Sequence, residues 1–89
     1  WRMSLTMSLE EALKAGKVKI GTKQTMKIVE LGQAAEVYVA KDADARITTK
    51  VIQLCRRSAI PVTYVDTMKQ LGRACGIEVG AAMAVLMIE

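Results

Sequence analysis

Histidine and phenylalanine are absent from the 89 residues, proline occurs once, and the only aromatic residues are Trp1, Tyr38 and Tyr64. Without histidine the chain lacks the commonest general base and every Ser-His or Cys-His nucleophile pair. Cys55 and Cys75 are the only cysteines and are far from a C-x-x-C pair, so no metal-ligand set is visible. They are read as two buried thiols in a reducing compartment, not as a disulfide. So few aromatics exclude a sheet on which bases stack ring against ring. Long hydrophobic runs are missing too. The longest extends from Ala81 to Ile88, far short of a bilayer span. The segment Trp1 to Met7 lacks the apolar stretch of a signal peptide. It reads as a leader or a remnant outside the domain, leaving residues 8–89 as one domain expected in the cytoplasm.

What is present is aliphatic and basic. Hydrophobic residues make up 52% of the chain, enough for one core built from Ala, Val, Ile, Leu and Met. Thirteen Lys and Arg against nine Asp and Glu give a net charge of +4. That balance suits a polyanionic partner, although charge alone does not choose one.

Strand and helix signals alternate along the chain. Ser8 and Glu11 are spaced as a capping box for a helix through Leu9, Ala12 and Leu13 that stops at Gly16. Val18 to Ile20 reads as a short strand ending at Gly21. Thr22 is placed to cap a second helix with Ile28, Val29 and Leu31 on its apolar side and Gly32 as its stop. Residues 36–40 are rich in β-formers. After the polar turn Lys41-Asp42-Ala43-Asp44, the residues Ile47, Val51, Leu54 and Cys55 recur at helical spacing. That helix ends before Ile60-Pro61. Val62 to Val65 is a third strand, and Thr67 with Gln70 forms a second capping-box match opening a helix that stops near Gly76. The apolar run 81–88 suits a central strand covered on both faces. The pattern predicts an α/β domain with helices on both sides of a sheet.

Two segments are chemically unusual. In Ile20-Gly21-Thr22-Lys23-Gln24-Thr25-Met26-Lys27 a strand stops at glycine and a helix begins at once. Backbone N–H groups at the positive end of a helix dipole suit phosphate or another anion. Lys23 and Lys27, four residues apart, share one helix face beside Gln24. Lysines can hold phosphates, and a glutamine amide both donates to and accepts from a base edge. The same spacing also fits an ordinary capped helix with a solvated lysine face, and the longer glycine-rich pattern of a nucleotide-hydrolase phosphate loop is absent. The second segment is Gly72-Arg73-Ala74-Cys75-Gly76-Ile77-Glu78-Val79-Gly80-Ala81, where two glycines bracket Ile77-Glu78-Val79. The branched side chains have two arrangements open to them: outward, where bases can pack on them, or tucked into the core beneath the loop. The carboxylates Asp42, Asp44 and Asp66 sit in turns for backbone reasons, and no two of them mark a catalytic pair.

Gly21 to Lys27, together with Leu71-Gly72-Arg73-Ala74-Cys75-Gly76-Ile77-Glu78-Val79, closely resembles the L-seven-Ae and L-thirty-e ribosomal-protein superfamily, above all its short stand-alone bacterial members. Val39 to Asp44 and Ile60-Pro61-Val62 match in order and spacing. The resemblance covers essentially residues 8–89. It implies a three-layer α/β/α sandwich with a four-stranded mixed sheet. It also implies binding to kink-turns, which are bent RNA helices built on tandem sheared G·A pairs. Carried over, it places Gly21, Thr22, Lys23, Gln24 and Lys27 on the RNA. The loop residues Ile77, Glu78, Val79, Gly80 and Ala81 would cover extruded bases, with Asp42 in support. The chain departs from archaeal and eukaryotic relatives, which usually carry Asn-Glu at the positions of Lys23-Gln24 and often proline at Gly80. The function implied is a non-catalytic, monomeric RNA-binding protein with no cofactor, no metal and no membrane partner, ribosomal or ribosome-like. The alternative is a module of the same fold that assembles with a protein partner.

Overall fold

Alternation of short branched runs with amphipathic stretches produces eight elements in the computed structural model, which describes residues 9–88. They are α1 (Leu9–Lys14), β1 (Val18–Ile20), α2 (Thr22–Glu30), β2 (Ala34–Ala40), α3 (Ala45–Arg57), β3 (Val62–Val65), α4 (Met68–Ala74) and β4 (Met83–Met87). Ser8, the cap of the first capping box, and the leader residues 1–7 lie outside the described residues. No helix among the described residues is long and apolar enough to cross a membrane.

The strands form one mixed sheet in the order β1-β4-β2-β3. β4 lies between β1 and β2 and is antiparallel to both, whereas β2 and β3 run parallel. The apolar run at the end of the sequence is therefore an interior strand. Met83, Ala84 and Val85 are fully buried, as the lack of alternation requires. Because β1, β2 and β3 all point one way, α2 and α3 must each carry the chain back along the sheet before the next strand begins.

Side chains alternate between two apolar layers. Ile28, Val29, Val37, Val39, Val51, Cys55, Met83 and Val85 fill the layer between the sheet and α2/α3. Ala12, Val18, Ala40, Leu71, Cys75, Ala81 and Ala84 fill the layer under α1 and α4. The architecture is a three-layer α/β/α sandwich. The two cysteines are free and buried, one in each layer, with the sheet between them, and burial pushes both thiols up. At the far edge of the second layer, the Tyr38 hydroxyl donates to Glu36 Oε1 at 3.1 Å and Thr63 Oγ1 donates to Glu36 Oε2. Burial, with the Glu36 charge beside it, pushes the Tyr38 phenol up to about 12, so it remains a donor through the neutral range.

Boundaries differ from the sequence reading where backbone bonding decides them. β2 begins two residues early, at Ala34, through an irregular pairing with β4 between Ala34 and Glu36. β4 begins two residues late. The Ala81 N–H is drawn away to Met68 O at 3.0 Å, and the Ala82 carbonyl accepts from Ala40 N at 2.9 Å just before the strand. The second helix is preceded by Gly21 at its N-cap, and Thr22 is already its first helical residue.

One buried polar group stands out. Thr25 on α2 is fully buried, and its hydroxyl has no hydrogen-bond partner. A buried orphan hydroxyl carries a desolvation cost that an isosteric methyl does not. Thr25→Val is therefore expected to leave stability unchanged or raise it by about 1 kcal/mol, read as an equal or higher midpoint in thermal unfolding.

Candidate functional site

The parallel run of β1, β2 and β3 brings their carboxyl ends, the start of β4 and the N-termini of α2, α3 and α4 to one end of the sheet. In open α/β sheets this is the end where ligands bind. Three helix N-termini in one place present a surplus of N–H donors and positive dipole ends. How each is satisfied separates them.

Asp44 caps α3: its Oδ1 accepts from Arg46 N at 2.9 Å. The Arg46 guanidinium folds back on the same carboxylate, with Nη2 to Oδ2 at 2.9 Å, and holds the Asp44 carboxyl below its usual range. Thr67 caps α4, its Oγ1 accepting from Gln70 N at 3.0 Å, and Asp42 Oδ1 accepts from Met68 N at 2.8 Å. No side chain caps α2. Its N-cap is Gly21, whose backbone lies at φ 110°, ψ 160°, a conformation that side-chain-bearing residues rarely adopt. The Gly21 N–H donates to Met83 O at 3.1 Å and its carbonyl accepts from Thr25 N at 3.0 Å. The first-turn N–H groups of α2 thus face outward beside Thr22, with Lys23, Gln24 and Lys27 exposed.

The loop from Gly76 to Ala82 reaches the same end by running back along α4. Ile77 N donates to Gly72 O and Ala81 N to Met68 O, each at 3.0 Å. Contact is closest at Gly72, where an added Cβ would sit 1.9 Å from the Val79 carbonyl oxygen. Glycine inside a helix costs about 1 kcal/mol against alanine, and here it is what lets the loop lie flat. Asp42 supports this arrangement at one remove, because it fixes the first turn of α4 on which the loop rests.

The two branched loop residues divide between the arrangements left open by sequence. Val79 is 70% exposed. Ile77 is partly buried and packs against the layer under α1 and α4. Ala81 is 5% exposed, its methyl group packed in the layer under α1 and α4. Glu78 and Gly80 are exposed. The backbone bond between Gly21 and Met83 ties the start of α2 to the chain three residues after Gly80.

Sequence reasoning missed a groove beside this surface. It lies between the first turns of α2 and α3, has a volume of about 410 Å³, and is lined by Thr22, Met26, Asp44, Arg46, Ile47 and Lys50. An aspartate just before an amphipathic helix was a legible cap signal, but no local spacing announces that α3 lies beside α2. No group of three or more metal-ligating side chains occurs among the described residues.

Comparison with known proteins gives concordant matches. The model of the ribosomal protein L7Ae/L30e/S12e/Gadd45 family matches residues 3–89. An RNA-binding protein from Geobacillus thermodenitrificans is 51% identical over 81 residues, covering 91% of this chain and 99% of that protein. RNA-binding protein YbxF from Geobacillus stearothermophilus shows the same identity and coverage. Among solved structures, a Giardia lamblia 15.5kD RNA binding protein superimposes with a TM-score of 0.84 at 26% identity, covering 91% of this chain and 68% of that one. A Bacillus halodurans protein of unknown function gives 0.82 at 29% identity, covering 90% and 80%.

Two expected outcomes test the loop. Gly72→Ala is expected to destabilise the protein by about 1–3 kcal/mol through overpacking against the loop backbone, where a free helical glycine would have gained from alanine. Ile77→Ser is expected to lower stability by about 1–3 kcal/mol through lost packing, whereas Val79→Ser stays within about 0.5 kcal/mol of the parent. Chemical denaturation of the three variants measures both.

Proposed function

We propose that this chain, which belongs to the ribosomal protein L7Ae/L30e/S12e/Gadd45 family, binds structured RNA without catalysis, and that its target is the kink-turn. The observation that carries the reading is the contrast among three helix N-termini at one end of the sheet. α3 and α4 are capped by the chain's own side chains, and α2 alone presents an uncapped first turn with exposed Lys23, Gln24 and Lys27. An uncapped, lysine-flanked N-terminus is suited to an anionic ligand. The names of the relatives, several of them RNA-binding proteins, support RNA as that ligand.

The roles follow from chemistry. Backbone N–H groups at Thr22 and Lys23, with the two ammonium groups, contact the phosphates and groove edge at the sheared G·A pairs. Gln24 carries an amide that donates and accepts, matching the mixed edge that a guanine presents. Val79, exposed and apolar on a loop held against α4, covers an extruded base, with Glu78 and Gly80 shaping the approach. Ile77 positions that loop from below, and Asp42 does so through α4. Such a protein stabilises the bent RNA by binding it more tightly than the unkinked duplex, and the shift is limited by that difference in affinity. Assembly into a ribosome or another ribonucleoprotein in the cytoplasm fits this role, with one protein per kink.

The test is a fluorescence titration of a kink-turn RNA against the same duplex with its G·A pairs replaced by Watson–Crick pairs. Tighter binding to the kinked RNA is expected, and equal affinity for the two sinks the reading. Lys23→Ala/Lys27→Ala is expected to flatten the log–log salt dependence by about one to two units. Gln24→Ala is expected to cost about 1–3 kcal/mol on the kinked RNA alone, with little change in salt slope. Val79→Ser, neutral for stability, is expected to weaken binding by about 1–3 kcal/mol.

A further inference from the structure

The charge of this protein is concentrated in one helix. The whole chain has thirteen Lys and Arg against nine Asp and Glu. α3 contains four of the cations, Arg46, Lys50, Arg56 and Arg57, and no carboxylate. The rest of the sequence therefore carries nine of each sign, and the surplus of +4 equals the charge of α3 alone.

Three of these cations are also aligned, together with the neutral Gln53 and without Arg56. At about 100° per residue, Arg46, Lys50, Gln53 and Arg57 fall within a strip roughly 60° wide. The strip lies opposite Thr48, Val51 and Cys55, the residues that α3 buries. All four members are exposed. Arg46 is engaged by Asp44, but no carboxylate among the described residues pairs with Lys50 or Arg57. The attraction of cations to a helix C-terminus accounts for Arg56 and Arg57. It does not account for Lys50 in mid-helix or for Arg46 in the first turn, where a positive charge opposes the dipole.

The strip starts at the candidate site. α2 and α3 run in the same direction back from one end of the sheet, and Lys50 lines the groove shared with Thr22 and Met26. From Lys50 to Arg57 the axis advances about 10 Å, the scale of roughly three successive phosphates on one strand.

We infer that the solvent face of α3 is a phosphate track for an RNA stem that continues beyond the α2 site, with Lys50 and Arg57 as its principal contacts. The inference rests on the RNA-binding reading and extends it to a second segment of the ligand. Contacts of this kind set register and orientation and carry no sequence information. They favour RNA targets whose duplex extends past the bend.

The experiment compares two kink-turn RNAs, one trimmed close to the G·A pairs and one with each stem extended by a helical turn. The protein and its Lys50→Gln/Arg57→Gln variant are titrated with both RNAs over a range of salt. The parent is expected to bind the extended RNA more tightly. The variant is expected to lose that advantage, with the log–log salt slope on the extended RNA falling by about two and the trimmed RNA bound as before. Unfolding midpoints should agree, since both side chains are exposed. An unchanged slope on the extended RNA overturns the track while leaving the α2 site standing. An equal loss on both RNAs also overturns it, because that is a net-charge effect without a track. If the parent binds neither RNA, the RNA reading itself fails and the track fails with it.

Discussion

Everything at the candidate site depends on β4 being pinned between β1 and β2 and running against both. An apolar strand with Met83, Ala84 and Val85 fully buried has nowhere to go but the interior of the sheet. Its antiparallel sense makes it start where the other three strands finish. That one constraint puts the loop before β4 beside the first turn of α2, and the hydrogen bond from Gly21 N to Met83 O is the point where the two meet. Residues more than fifty positions apart in sequence become neighbours because this buried strand lies between two partners.

A second constraint on this end of the sheet is electrostatic. Convergent helix N-termini repel one another and leave donors unsatisfied unless something negative is supplied. Asp44, Asp42 and Thr67 supply it within the chain for α3 and α4. α2 has only glycine at its cap and lysine in its first turn. The chain's own side chains thus cap two of these helix starts and leave the third without a cap, the one open to an external anion.

Much of this was legible from the sequence, for identifiable reasons. The strand at Val62–Val65 and the cap at Thr67 depend on local chemistry, a proline boundary and a hydroxyl at the right spacing, and the structure has both. The doubly covered final strand follows from a run of apolar residues without alternation. What escaped was tertiary. Thr22 looked like a cap, yet the strand before it continues its bonding to β4 through Gly21, and so the cap falls one residue earlier. Ile77 and Val79 were indistinguishable by spacing, because the path of a loop across a helix decides which side chain turns inward. Gly72 carried no legible role, since its reason is the carbonyl of Val79 lying against it. The groove between α2 and α3 is likewise a product of packing that no motif encodes.

The loop along α4 is held by main-chain contacts, two N–H to carbonyl bonds and a backbone approach at Gly72, and by the packed side chains of Ile77 and Ala81. The exposed side chains at 78 and 79 contribute little to its course. These two positions behave as an exchangeable tip on a fixed handle. Substitutions there change the exposed surface without requiring compensation in the core. A lineage can therefore vary the chemistry of the tip by a few atoms, while the scaffold beneath it stays under the constraints of burial.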